Sequence, residues 1–291
     1  MTALLDHLRT GSTTVCHAWV LERRDGRCLG FTDHDLPLTV AGTYCQPSSG
    51  LTGGAVQSST GLAVDNLEVA GALHSDAITA DDLRAGRWDD AQVTIWLVNW
   101  AAPEMRQIQF RGTLGEIGWT DEGAFSAELR GLTERLNAVR GRVYQGRCDA
   151  ILGDSKCGVD LRAPILSVET AVTAIADDAV LHVDPLPEFA GGWFARGRIE
   201  MLDGAADGLS GRVKTDRIED GARRVELWSA IRAPVAVGDR VRLEAGCDKR
   251  SETCRYKFAN FVNFRGFPSI PGEDWLMAYP TRDGVNDGGR R

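Results

Sequence analysis

The feature that most constrains this chain is a set of four cysteines in two widely separated stretches. Cys148 and Cys157 have eight residues between them, in CDAILGDSKC, and Cys247 and Cys254 have six between them, in CDKRSETC. Both stretches are rich in Gly, Asp and Ser, which favour turns that can bend thiolates toward one centre. We therefore predict that the four cysteines form one metal or iron–sulfur site and that the fold brings the two stretches together.

The cysteine spacing leaves three alternatives open. A structural zinc ion takes four tetrahedral ligands, usually from pairs about two to four residues apart, and the spacings here are wider. A four-iron, four-sulfide (4Fe-4S) cluster also takes four cysteines, and it tolerates wider spacing because its ligands stand farther apart. The third alternative is four unrelated free thiols.

Two features near the second pair favour the iron–sulfur cluster. Residues 247–266 contain five basic residues against two acidic ones, although the whole chain is acidic. Cations stabilise a four-thiolate cluster because it is a net anion. Phenylalanines also recur at every third position after Cys254, and they can exclude water from a cluster or pack as ordinary core. The candidate shielding residues are Phe258, Phe261, Phe264 and Arg255.

The other three cysteines are not expected to belong to this site. The N-terminus lacks a basic region followed by an apolar stretch, and no apolar run approaches the ~20 residues that span a bilayer. We therefore expect synthesis in the cytoplasm, where thiols stay reduced. Cys16, Cys28 and Cys45 lie in apolar or strand-like stretches, so we predict that they are buried free thiols.

Length and charge narrow the class of protein. The chain has 291 residues, of which 43% are hydrophobic and 25% charged, as in soluble globular proteins of one to three domains. Its net charge of −8 argues against a grip on nucleic acid along the whole chain, which needs clustered Lys and Arg.

The hydrophobic pattern predicts mostly β structure. Residues 16–33 read as two strands around Asp25-Gly26, and residues 36–45 repeat this pattern around Ala41-Gly42. Residues 93–100 are apolar on both faces, as in a central strand, and residues 125–129 alternate. Short helices are expected at 79–85 and 133–139, and a second β block at 168–244.

No motif predicts catalysis, so we expect that the chain is not an enzyme and assign no catalytic residue. His34 lies between Asp33 and Asp35, but adjacent strand residues point to opposite faces, which favours a polar turn or subunit contact. The Gly-rich stretch at 46–62 lacks a phosphate-loop pattern. An iron–sulfur oxidoreductase is less favoured because no second cofactor motif is present.

Several of these segments together resemble one protein family. They are GFTDHDLPLTV at 30–40, YQGRCDAILGDSKCGVD at 144–160 and GCDKRSETCRYKFANFVNFRGFPSIPGEDW at 246–275. The chain resembles the tail-tip hub proteins of gene transfer agents and of long non-contractile-tailed phages and prophages. The resemblance extends over nearly the whole chain, and its last segment is the most specific.

The resemblance implies a structural role in a baseplate. Hubs of this family form threefold β-barrel rings that adapt a sixfold distal tail ring to a trimeric tip, and a related tip protein carries a four-iron cluster. Carried over to this chain, the cluster ligands are Cys148, Cys157, Cys247 and Cys254, and zinc is the alternative. The implied partners are two further copies, the distal tail protein ring, the tip or receptor-binding (central fibre) protein, a cell-wall peptidase of the tail, and DNA only in transit.

We therefore predict a mainly β protein of several small barrel or sandwich domains, with few short helices and a cysteine-ligated C-terminal segment. The predicted parts are a hub domain at 1–140, an iron–sulfur-binding segment at 141–163 with 245–281, an inserted barrel at 164–244 and a disordered tail at 282–291. The predicted location is the tail tip of a virion or gene transfer agent particle assembled in the bacterial cytoplasm, without a membrane span.

Overall fold

The computed structural model describes residues 2–47, 52–53, 66–72, 78–119, 124–131, 141–219 and 221–270. The chain divides into two compact units, residues 1–139 with 231–234, and residues 140–230 with 235–291. Strands dominate both units and the helices are short, which confirms the predicted mainly β class. Within the described ranges, none of the helices has the length and apolar character needed to cross a membrane.

The first unit is built on one nine-stranded sheet in the order β3-β4-β2-β1-β7-β8-β9-β6-β5. Neighbouring strands are antiparallel except β2 and β4, which are parallel. The strands are β1 (Val15–Glu22), β2 (Cys28–Thr32), β3 (Leu38–Val40), β4 (Thr43–Pro47), β5 (Thr52–Gly53), β6 (Asn66–Ala72), β7 (Gln92–Asn99), β8 (Arg106–Trp119) and β9 (Ala124–Gly131). The helices are α1 (Thr2–Leu8) and α2 (Ala80–Arg84).

The structure confirms two predicted hairpins and one predicted helix in this unit. β1 and β2 form an antiparallel hairpin around Asp25-Gly26, and β3 and β4 form another around Ala41-Gly42. β7 is the middle strand of the sheet, and its residues Val93, Ile95 and Val98 are buried. α2 begins after Thr79, whose side chain accepts a hydrogen bond from the Asp82 N–H at 3.1 Å, as expected for an N-cap.

One prediction in this unit is wrong. Cys16 and Cys45 are buried as expected, but Cys28 is exposed. Cys28 begins β2 immediately after the turn, at the hairpin end of the strand, where β2 is exposed. The burial of β2 starts only farther along, at Gly30–Thr32. A strand-like sequence around Cys28 was therefore not sufficient to predict that its thiol is buried.

The second unit contains a closed barrel of six antiparallel strands in the order β10-β11-β14-β13-β12-β15. They are β10 (Ser167–Asp177), β11 (Val180–Val183), β12 (Arg198–Met201), β13 (Ser210–Glu219), β14 (Ala222–Leu227) and β15 (Arg240–Glu244). Side chains alternate between buried and accessible along β12 and β14, because successive strand residues face opposite sides. The barrel interior is filled by fully buried apolar side chains such as Ile199, Val225 and Leu243.

The chain leaves the barrel into α3 (Ser251–Tyr256) and a 3-10 helix at Phe261–Asn263. The expected helix at 133–139, the expected disordered tail at 282–291 and most of the Gly-rich stretch at 46–62 lie outside the described residues. The domain boundaries drawn from sequence stay predictions.

Candidate metal centre

Barrel topology explains why the two cysteine stretches converge. β10 and β15 are antiparallel neighbours, and Ser167, which begins β10, is opposite Glu244, which ends β15. The segment that enters the barrel and the segment that leaves it therefore lie at the same end. The Ala245 N–H donates to the Leu166 carbonyl oxygen at 2.7 Å just beyond the pairing. Cys148 and Cys157 precede this point in the chain, whereas Cys247 and Cys254 follow it.

Direct hydrogen bonds tie the two stretches together. The Cys148 N–H donates to the Lys249 carbonyl oxygen at 2.9 Å, and the Lys249 ammonium donates to the Ala150 carbonyl oxygen. The Asn260 side-chain amide donates to the Cys157 carbonyl oxygen at 2.6 Å. Each cysteine of the first pair is thus bonded through its own backbone to the segment that carries the second pair.

All four cysteines line one pocket, as their assignment to one site requires. All four are free thiols. The other residues that line the pocket are Ala150, Leu152, Val159, Lys249, Arg250, Phe258, Asn263 and Phe264. Most of these are apolar and two are cations, which is the setting that an anionic thiolate cluster needs.

Two of the four thiols have a raised pKa. Burial raises the pKa of the Cys254 thiol to about 11, and the charges of the other three cysteines add to the increase. Burial also raises the pKa of Cys247. The Cys247 and Cys254 thiols are therefore protonated near neutral pH, and a metal that bound to them would release their protons. Among the described side chains, no three His, Cys, Asp or Glu residues are arranged to hold a metal ion as they stand.

Local backbone geometry presents the cysteines to the pocket. The Asp154 carboxylate accepts from the N–H groups of Ile151, Lys156 and Cys157. These hydrogen bonds, chiefly that of Cys157, lower the Asp154 pKa, so the carboxylate stays ionised and holds the loop. On the other stretch, Lys249 has a φ of +68°, and its N–H points at the Cys247 sulfur at 3.4 Å. An N–H group that faces a thiolate stabilises the charged form.

The predicted shielding residues fall into two layers. Phe258 and Phe264 line the pocket itself. Phe261 is 37% exposed and stacks on Phe264 with ring centroids 5.6 Å apart. The Arg255 guanidinium lies 4.3 Å from the centre of the Phe261 ring. Phe261 and Arg255 therefore cover the pocket wall from outside and do not line it.

Lys257 joins two segments near Cys247, a role that was not evident from the sequence. Its ammonium donates to the Trp193 carbonyl oxygen and, at 2.9 Å, to the Gly246 carbonyl oxygen, and it lies 4.4 Å from the centre of the Trp193 ring. Burial lowers the Lys257 pKa to about 8. Lys257 thus fixes the residue before Cys247 against the β11–β12 connection. The sequence showed only that a cation lies in this region.

The Asp-His-Asp stretch forms a polar bend after β2. The Asp33 carboxylate accepts from the His17 N–H at 2.6 Å and contacts the His17 ring at 2.9 Å. The His34 ring nitrogen lies 3.1 Å from the Leu36 carbonyl oxygen. The His17–Asp33 pair depends on the register of β1 and β2, which residue spacing alone did not reveal.

Fold and site together define a structural class of protein, a β scaffold in which hydrogen bonds join two remote segments around four cysteines. Residues 1–160 match the family model described as "Baseplate hub protein, N-terminal attachment domain". Residues 192–274 match a second one, "Phage conserved hypothetical protein BR0599". A comparison with curated protein sequences gave no match.

A solved structure extends this likeness over the full length. A chain in the structure entitled "Virion of native gene transfer agent (GTA) particle" is 53% identical, with a TM-score of 0.91, and the match covers 100% of this chain and 99% of that one. The protein belongs to the baseplate hub family. This membership confirms the predicted family, its place in a virion tail and its structural, non-enzymatic nature.

Proposed function

We propose that the protein is the hub of a phage-like tail tip in a gene transfer agent particle. In this role it forms a ring that joins the distal tail tube to the tip protein and lets DNA pass. The observation that carries the proposal is the 53% identity over the full chain to a component of a native gene transfer agent virion.

The proposed role defines the oligomer and its partners, and the net charge of the chain supports it. The proposed ring is a homotrimer that contacts the distal tail protein ring, the tip or receptor-binding protein and the cell-wall peptidase of the tail. The net charge of −8 suits a wall along which DNA slides, because a basic lining would hold phosphates and slow their passage.

The proposal includes a 4Fe-4S cluster on Cys148, Cys157, Cys247 and Cys254. When bound, such a cluster cross-links the segments that enter and leave the barrel and contributes free energy to folding. The support is one shared pocket with apolar walls and the cations Lys249 and Arg250. Zinc on the same four thiols is the second candidate, and the free thiols of this pocket suit it also.

Particle assembly tests the proposed function. In a producing bacterium that lacks the native gene, we expect plasmid-borne wild-type protein to restore particles with complete tail tips and DNA transfer. Cys254→Ser should fail to restore complete tips, because the loss of one ligand leaves the cluster open. Electron microscopy of purified particles and a transfer assay give the two readouts.

Cys28→Ser is the matched control, since Cys28 is also a thiol but is exposed in the other unit. It should restore particles as well as wild type does. Complete particles in the absence of the protein would contradict the hub role. Complete particles with Cys254→Ser would contradict the structural role of the cluster while leaving the hub role intact.

A further inference from the structure

Asn260 contacts two of the four cysteines, one from each stretch. Its side-chain nitrogen lies 2.6 Å from the Cys157 carbonyl oxygen and 3.7 Å from the Cys157 sulfur. Its backbone N–H donates to the Cys254 carbonyl oxygen at 2.9 Å, and its carbonyl oxygen accepts from the Cys254 thiol at 3.3 Å. Asn260 therefore bridges the two halves of the cysteine cluster.

A second asparagine fixes the orientation of the Asn260 amide. The Asn263 side-chain nitrogen donates to Asn260 Oδ1 at 2.7 Å, so the Asn260 NH₂ group is the one that faces Cys157. The preceding residue, Ala259, has a φ of +49°, a conformation that costs energy for a residue with a Cβ atom. The chain therefore makes a strained bend at the point that places Asn260 between Cys157 and Cys254.

We propose that Asn260 is a positioning residue for the cysteine site. It aims Cys157 at the pocket through the carbonyl contact and supplies an N–H group toward the Cys157 sulfur. The inference rests on the cluster proposed above. Residues that orient metal ligands commonly change affinity by about 10- to 100-fold when they are replaced, and hydrogen bonds to the sulfurs help to set the reduction potential of an iron–sulfur cluster.

The test compares Asn260→Leu with wild type, since leucine keeps the size of the side chain and removes the N–H donors. In full-length protein loaded with cluster, we expect iron release to an iron chelator to be about tenfold faster. The reduction potential should fall, because a sulfur that has lost a hydrogen bond donates more charge to iron. A purely structural role would not lower the potential of the cluster that remains bound.

Val262→Ala is the control, since Val262 lies in the same turn and is 96% exposed. It should match wild type in both measurements. Asn260→Ala, which also removes the side-chain N–H donors and adds no charge, is the second variant if the leucine variant does not fold, and its potential should also fall. Release and potential equal to those of Val262→Ala would overturn the inference alone. Wild-type protein without iron or sulfide would overturn the proposed cluster and this inference with it.

Discussion

In the second unit, Arg223 and Asp216 form an ion pair that is buried in the protein. Both side chains are fully buried, with Arg223 Nε 2.7 Å from Asp216 Oδ1. Arg223 Nη2 also donates to Asp216 Oδ2 at 3.0 Å. The two terminal guanidinium nitrogens donate further to the carbonyl oxygens of Pro185, Leu186, Phe189 and Ala190. The pair therefore fixes the β11–β12 connection on the barrel, which is the same connection that Lys257 holds near Cys247.

We predict that Arg223→Met lowers the free energy of unfolding of the second unit by about 3–5 kcal/mol, because Asp216 would remain buried without its cation. Chemical denaturation followed by circular dichroism and tryptophan fluorescence measures the change. Replacing both partners, with Asp216→Leu added, should recover part of the loss, since no charge then stays buried.

Arg217→Met is the control for this prediction. Arg217 lies on the same strand as Asp216 but is 64% exposed and stands 3.9 Å from its partner Glu219. Exposed pairs contribute little to stability, so the change should be much smaller. An equal loss in both variants would show that the buried pair has no special role.

Among the secondary-structure elements, the β3–β4 hairpin turns through an unfavourable conformation. Ala41 has a φ of +52° and Gly42 a φ of +87°, and left-handed backbone is disfavoured for alanine but not for glycine. We predict that Ala41→Gly raises the free energy of unfolding of the first unit by about 1 kcal/mol. Thermal and chemical denaturation of the full-length protein measure this change.

Gly42→Ala is the matched opposite change in the same turn. A Cβ atom at this position would meet no atom within 4 Å, so any cost arises from the backbone alone. We expect a loss of about 1 kcal/mol. Stabilisation by Gly42→Ala, or destabilisation by Ala41→Gly, would contradict the explanation by backbone conformation.

Local elements were predictable where their signals lie close together in the chain. The turns at Asp25-Gly26 and Ala41-Gly42 predicted two hairpins, and α2 lies within the helix expected at 79–85. The parallel pairing of β2 with β4 and the closure of the barrel by β10 and β15 were not predictable in this way. Each of these pairings joins strands that are not consecutive in the chain, so it depends on how the whole sheet or barrel packs.

For the molecule as a whole, the sequence singled out the four cysteines that line one pocket, but not the residues that surround and hold them. Cys148, Cys157, Cys247 and Cys254 stood out by residue type, and they do line one pocket. The contributions of Asn260 and Lys257 arise from a strained bend and from contacts with distant carbonyl groups. Common polar residues in such positions leave no pattern in the sequence.

In the molecule as a whole, barrel closure and the cysteine site act on the same two segments, those that flank the barrel. The pairing of β10 with β15 brings the flanking segments to one end of the barrel, and a cluster on four thiols would lock them there. In the proposed arrangement, one iron–sulfur cluster therefore holds these two segments together in the second unit of a baseplate hub protein.

The presence of the cluster can be measured by anaerobic purification of the full-length protein, followed by a visible spectrum and by iron, sulfide and zinc analysis. We predict a brown protein with broad absorption near ~400 nm and about four iron and four sulfide per chain. Cys254→Ser should lower the iron content, whereas Cys28→Ser should not. A colourless protein that holds one zinc would replace the cluster with a tetrahedral ion. A protein that holds neither metal, and whose seven cysteines all react as free thiols after denaturation, would contradict the proposed cluster.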